Sequence, residues 1–228
     1  MTAFNARYRQ GRITATGSLV YTNVTEHVKI GDAPADFQRL APSFTVSLQP
    51  WQEQLLFLRL MYKSTFRMPT FNDLYYYRLG NRSLRPEKAN EYNMGITWSR
   101  SFSSFLNYLS VTVDGYYNDV TDKIVAFPTT YAWKMANYGK VHVTGMDATL
   151  AAAASLGKNM VLVVSGGYTR QKAIDLTDAT SKSYKDQLPY TPKHSGNVSA
   201  VLEMPWVNVG YSIVGVSERY SMSQNIPE

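Results

Sequence analysis

The chain has 228 residues, of which 44% are hydrophobic, 13% aromatic and only 18% charged, with tyrosine present in 17 copies. That is little ionic surface and much amphipathic ring for a soluble domain, while a mean hydropathy of -0.27 suits strands that are apolar on one side only. The formal charge of +6 comes from basic residues scattered without a block, which argues against a nucleic-acid partner, and the lack of cysteine removes disulfides, thiolate metal sites and cysteine nucleophiles together.

No stretch approaches the roughly 18 apolar residues of a membrane helix, and runs such as Met160–Val164 stop within a few residues. Alternation with period two dominates instead. In the first segment Ile13, Ala15, Gly17, Leu19 and Tyr21 share one face, with Arg12, Thr14, Thr16 and Ser18 on the other. The second sets Phe44, Val46 and Leu48 against Ser43, Thr45 and Ser47, and the third sets Leu56, Leu58, Leu60 and Tyr62 against Arg59 and Lys63. Tyr92, Met94, Ile96 and Trp98 then oppose Asn93, Thr97 and Ser99, and Val111, Val113 and Tyr117 oppose Thr112, Asp114 and Asn118. Four more strands are expected at 137–153, 160–171, 194–203 and 207–217, most of the length that a tilted strand needs to cross a bilayer.

The expected connections alternate between long (25–39, 65–89, 119–136, 172–193) and short (49–54, 100–107, 155–159, and the Pro205–Trp206 turn). Long loops on one side and tight turns on the other are the habit of an all-β, antiparallel transmembrane β-barrel, here a segment of about nine strands. Tyr62, Tyr92, Trp98, Tyr116, Tyr117, Trp206 and Tyr211 fall near strand ends or on outward faces, where rings favour the bilayer interface. A soluble β-sandwich that binds carbohydrate through its rings is an alternative, and it requires a second sheet over the apolar faces.

Four segments carry a more specific signal. Phe66-Arg67-Met68-Pro69-Thr70, followed by Asp73, Leu74 and Tyr75, resembles the F-R-x-P-T-x-x-E/D-L-Y box of TonB-dependent outer-membrane receptors. Gly80, Asn81, Leu84, Pro86, Glu87 and Gly95 resemble that family's G-N-P-x-L-K-P-E-x-S-x-x-Y-E-x-G, with departures at Arg82 and Asn93. Asn137-Tyr138-Gly139 leading to Gly145 and Asp147 resembles a later strand of the family, and Leu188-Pro189-Tyr190-Thr191-Pro192 resembles its L-P-Y-x-P element. Pro69 and Pro86 cannot donate to a ladder and are expected to end pairing on either side of a loop. Arg67, Asp73, Arg85 and Glu87 are expected to pin that loop to the rim rather than to bind ligand. Gly95 and Gly145 suit either close packing against a luminal plug or a strand bend, with local twist relief as the plainer reading.

The resemblance implies a receptor in the outer membrane of a Gram-negative bacterium, embedded in its lipid. It would take up a ferric siderophore or cobalamin and be driven through TonB. It also implies that residues 1–228 form a single partial barrel domain, about nine of roughly 22 strands, without the plug domain or the C-terminal strands. No basic leader followed by an apolar stretch opens the chain. His27, His142 and His194 have no partners at ligand spacing, so neither a metal nor another cofactor is expected. The lack of histidine between residues 70 and 80 speaks against haem. No nucleophile elbow, phosphate-binding loop or convergent carboxylate pair points to an enzyme. A porin or adhesin barrel would share the alternation and lack the boxes.

Overall fold

The computed structural model describes residues 1–25, 36–103, 105–128, 132–157, 159–222 and 225. Ten antiparallel strands lie side by side in chain order in one sheet: β1 (Thr2–Gln10), β2 (Ile13–Val24), β3 (Phe37–Leu48), β4 (Leu55–Arg67), β5 (Glu87–Ser101), β6 (Leu106–Pro128), β7 (Trp133–Gly157), β8 (Met160–Asp175), β9 (His194–Glu203) and β10 (Asn208–Val216). One helical turn, α1 (Phe71–Tyr75), sits between β4 and β5. Among the described residues no helix is long and apolar enough to cross a membrane.

The register explains why these sequences pair. Outward residues always oppose outward residues: Phe4 faces Leu19, Leu19 faces Pro42 and Gly17 faces Phe44, and Val46 faces Leu60. The series continues through Leu60 and Met94, Ile96 and Val113, Val113 and Ala148, Ala148 and Tyr168, and Leu162 and Leu202 to Ala200 and Tyr211. On the opposite face hydroxyls meet across strands, with Thr97 Oγ1 and Thr112 Oγ1 at 3.0 Å, Ser99 Oγ and Ser110 Oγ at 2.8 Å, and Ser212 Oγ donating to Ser199 Oγ at 3.0 Å. The apolar face is uncovered, with Leu60 57% and Met94 67% exposed. The described strands form a single layer, without the second sheet that a sandwich requires. A single sheet that is apolar on one face and polar on the other has the pattern of a transmembrane barrel wall.

Rings mark the edge of the apolar band nearest the long loops. Tyr62, Tyr92, Tyr117 and His142 run across four strands with successive centroid separations of 5.2, 6.1 and 5.3 Å. Trp98 faces outward near the short turns, opposite Leu56 and Val111, and Trp206 stands fully in the open in the β9–β10 turn. Tyr211 lies mid-strand on the outward face, opposite Ala200. Tyr116 departs from expectation: it faces the lumen, opposite Asn93 and Gly145, because it is odd by one from its outward neighbour Tyr117.

Two further expectations are corrected. There are ten strands where the alternation led us to expect about nine, and the additional one is β1. Its Phe4, Ala6 and Tyr8 alternate with Asn5, Arg7 and Arg9, and it closes on β2 through Gly11 at φ +52°, a left-handed position that glycine takes at low cost. The expected loop at 119–136 is mostly strand. β6 and β7 are 23 and 25 residues long, about twice the length of a bilayer-crossing strand, so their hairpin projects well beyond the apolar band. Most of the expected loop at 25–39 lies outside the described residues.

Placing an arginine on the two faces tests the assignment. Ile96→Arg, outward and mid-band, is expected to cost about 2–4 kcal/mol of folding stability in lipid vesicles, whereas Thr97→Arg, facing the lumen, costs much less. Urea titration of both variants measures the difference, and equal costs would contradict the two-solvent sheet.

Candidate functional site at the loop-bearing rim

The chain leaves β4 at Arg67 and re-enters the sheet at Glu87, so Pro69 and Pro86 lie just outside the ladder at either end of the excursion, where the missing N–H costs nothing. Between them Thr70 caps α1. Its hydroxyl accepts from the Asp73 amide at 3.2 Å, and the Asp73 carboxylate accepts from the Thr70 amide at 2.9 Å, a reciprocal capping box. Leu74 points down and is buried, while Phe66 contacts Phe37 with centroids 4.9 Å apart. Tyr75 packs against Phe71 and takes the Arg82 guanidinium over its ring at 5.3 Å. Gly80 passes directly under the helix: a Cβ there would lie 2.7 Å from the carbonyl carbon and oxygen of Leu74, so a side chain would force backbone apart.

This loop is fastened to the β6–β7 hairpin. Asn81 donates to the Met135 carbonyl at 3.1 Å, and the Met135 amide donates to the Leu79 carbonyl at 2.9 Å. Asn137 accepts from the Arg85 amide at 2.9 Å and donates to the carbonyls of Arg85 at 3.0 Å and Asp122 at 2.6 Å. The Arg85 guanidinium closes on the Asp122 carboxylate at 2.6 Å. Glu87 accepts from the Ile124 amide at 3.0 Å, with Arg67 and Lys123 each 3.7 Å away, and Arg67 also lies 3.7 Å from Asp73. Beneath this polar frame Leu74, Leu84, Ile124 and Met135 form a small buried cluster.

A second loop, residues 176–193, folds back over the luminal side. The Leu188 amide donates to the Ala173 carbonyl at 2.8 Å, and Gln187, itself buried, accepts from the Ala173 amide at 3.1 Å. Leu188 thereby fills a cluster with Val120, Val141 and Ala173. Pro189 and Pro192 flank Tyr190, which sits at φ +56° with its ring 5.6 Å from that of Trp133. At the loop's outer turn the hydroxyl and amide of Thr180 hold the Asp178 carboxyl below its ordinary pKa. That contribution to loop order is present at neutral pH and is lost as pH falls through the lowered value.

Below the rim, two glycines make room for their neighbours' inward side chains. A Cβ at Gly95 would sit 2.0 Å from Asp114 Oδ1, because the Arg59–Asp114 ion pair, at 3.1 Å, crosses over that position. At Gly145 a Cβ would meet the Tyr116 hydroxyl at 2.3 Å and the Arg170 carbonyl at 2.7 Å. Asp147 lies beside Asp114 and Thr169 on the same wall. The space at both glycines is taken by this chain's own strands. His142 hydrogen-bonds Tyr117 and His194 hydrogen-bonds Tyr168, while His27 lies outside the described residues.

The profile described as "TonB dependent receptor-like, beta-barrel" matches residues 4–227. The chain belongs to the TonB-dependent receptor β-barrel family. Members of that family are β-barrel proteins of the Gram-negative outer membrane, and the relatives found here are named as transporters and receptors. Two are called vitamin B12 transporter BtuB. That of Vibrio vulnificus is 32% identical over 84 residues, covering 36% of this chain and 13% of the transporter. That of Photobacterium profundum is 26% identical over 160 residues, covering 67% and 23%. Among solved structures, the copper transporter OprC superposes with a TM-score of 0.68 at 14% identity, over 97% of this chain and 36% of its own. The siderophore receptor PirA from Pseudomonas aeruginosa gives 0.57 at 16% identity, over 93% and 37%, a likeness of fold. The chain therefore spans well under half of each relative.

Several residues of the rim were not singled out from sequence. Thr70 was legible as the first residue of a T-x-x-D capping pattern. Asp122, at φ +55°, and the pair Arg59–Asp114 join residues 37 and 55 positions apart, separations that no local pattern reveals. Replacing Asn137 by Ala leaves the Arg85 amide without its acceptor and is expected to cost about 1–3 kcal/mol. Hydrogen exchange should show it as faster exchange across 79–85, and unchanged exchange there would sink the fastening role. For Gly95→Ala the clash is with the flexible ends of Asp114 and Arg59, so its cost should shrink in an Asp114→Ala background; a double-mutant cycle with no coupling would contradict this geometry.

Proposed function

We propose that this chain is part of the barrel of an outer-membrane receptor that takes up a scarce nutrient by TonB-dependent active transport, and that it is not an enzyme. The observation that carries this is the single-layered sheet, apolar on one face and polar on the other, with two of its long connections packed against the β6–β7 hairpin at one rim. That arrangement suits a gated lumen with a capture surface above it. The loops at 65–89 and 172–193, with the hairpin 119–136, supply part of that surface. By family resemblance, a plug domain encoded elsewhere in the whole protein makes the contact with TonB, and residues 1–228 are one incomplete barrel domain. Phe66, Arg67, Pro69, Asp73, Glu87 and Asn137 act in this reading by holding the rim in shape.

For the ligand, we propose a metal chelate of the cobalamin or ferric siderophore kind. The sequence relatives are named for vitamin B12 and the structural neighbours for siderophore and ferric-catecholate import. Disrupting the gene and measuring accumulation of labelled cobalamin and of ferric siderophores separates the two. We expect loss of one uptake activity that also disappears when TonB is removed, with the protein recovered in the outer-membrane fraction. Unchanged uptake of every chelate, or recovery in the soluble fraction, would overturn the proposal.

A further inference from the structure

The wall is not laddered evenly from strand to strand. β2 and β3 pair over their whole length, from Ile13 with Leu48 to Val24 with Phe37, and β4 and β5 pair from Leu55 with Ser99 to Arg67 with Glu87. Between β3 and β4 the ladder runs only from Leu48 with Leu58 to Ser43 with Lys63. Beyond it, residues 37–42 of β3 and 64–67 of β4 continue without pairing to each other. Pro42, the first residue of β3 past the ladder, has no N–H to offer. Side chains bridge the gap instead. Arg39 Nη2 donates to Ser64 Oγ at 3.0 Å, and the rings of Phe37 and Phe66 lie 4.9 Å apart. Ser64 is buried, and the buried Nε of Arg39 has no hydrogen-bond partner.

The split begins at a level where it can be tolerated. Its last pair, Ser43 with Lys63, lies one step beyond Phe44 and Tyr62, and Tyr62 belongs to the ring row at the edge of the apolar band. Inside hydrocarbon a parted ladder would leave backbone groups unsatisfied; beyond the rings, water takes them. The two sides of the split are also anchored to different bodies. β4 runs on into the loop at 65–89, which Asn81, Arg85, Glu87, Asn137 and the cluster under Leu74 fasten to the β6–β7 hairpin. β3 is held by β2. Among the described residues, the hydrogen bond and the ring contact that join these bodies past Ser43 are Arg39–Ser64 and Phe37–Phe66. We infer that this seam is a hinge in the wall, latched by Arg39 and Phe37. On release the ends of β2 and β3 swing about Ser43 and Lys63, away from the body of β4–β7, and widen the mouth above the membrane. Parting the seam returns Arg39 Nε to water, so opening regains part of what the broken hydrogen bond loses.

This inference rests on the membrane-barrel reading above. Its test uses the whole receptor in lipid nanodiscs, with pairs of spin labels whose separation is read by pulsed double electron–electron resonance. The chain has no cysteine of its own to compete for label. Labels at the exposed positions Leu40→Cys and Asn72→Cys span the seam, while Asn72→Cys and Lys134→Cys, also exposed, lie within one body. The seam-spanning pair should show a short and a long distance, and the within-body pair a single one. Ser64→Ala, which removes only the acceptor, should raise the ratio of long to short about tenfold, the factor set by about 1.4 kcal/mol. Arg39→Ala with Phe37→Ala should raise it further, and the within-body distance should stay fixed throughout. A seam-spanning distance unmoved by both variants would overturn the hinge. Equal broadening of both pairs would overturn it too, because the rim would then be loosening as a whole. A receptor that shows the seam shift yet takes up no chelate would fail the functional reading and leave the hinge standing. Failure of the wild type to enter the membrane fraction would overturn the barrel reading, and the hinge with it.

Discussion

Everything in this molecule depends on an antiparallel ladder that keeps its register from β2 to β10. Side chains in a strand alternate strictly, so a slip of one residue would turn every Leu, Val and Met of the apolar face to the polar one. The turns defend against this. Gly11 reverses the chain between Gln10 and Ile13, and the Gln49 amide bonds the Arg12 carbonyl at 2.9 Å, tying two adjacent turns together. Register irregularities occur at Leu106/Tyr108 and Ser155/Gly157, both at the short-turn end. The wall between them stays in phase.

With the wall fixed, the rim can be built from buried apolar contacts without a core of its own. Two clusters, one under Leu74 and one under Leu188, hold two loops against the upper part of the β6–β7 hairpin. The boxes that carry the family resemblance are mostly the fittings of this arrangement. Thr70 and Asp73 close a helix turn, Gly80 lets it sit close, and Asn137 and Glu87 satisfy backbone groups that leave the ladder. A rim so constrained keeps its outer aromatic residues, such as Tyr76 and Tyr77, exposed on a defined platform.

How far the sequence alone could reach follows from the range of each interaction. Alternation is a two-residue property, so the strands with many apolar residues were legible, and so was the face that each residue takes. β1 was missed because its apolar positions include a small Ala6 and it stands first, with no preceding turn to bound it. The extent of β6 and β7 was hidden because Thr121, Asp122 and Lys123 are three polar residues in a row and interrupt the alternation above the apolar band, while the loops that bury Val120 and Ile124 there are distant in sequence. The pairing of Arg59 with Asp114 across Gly95 depends on three strands coming together. The sequence showed a glycine in a strand, and its reason lay on the neighbours.

The hydroxyl pairs on the luminal wall have a mechanical consequence. Thr97 with Thr112, Ser99 with Ser110, and Ser199 with Ser212 satisfy one another, and each hydroxyl is both donor and acceptor. Either hydroxyl of a pair can turn its hydrogen to the other, so the pair stays satisfied through small shifts of the two strands that carry it. Neighbouring strands are thereby joined by links that yield without breaking, where the Arg59–Asp114 pair on the same wall is a fixed brace.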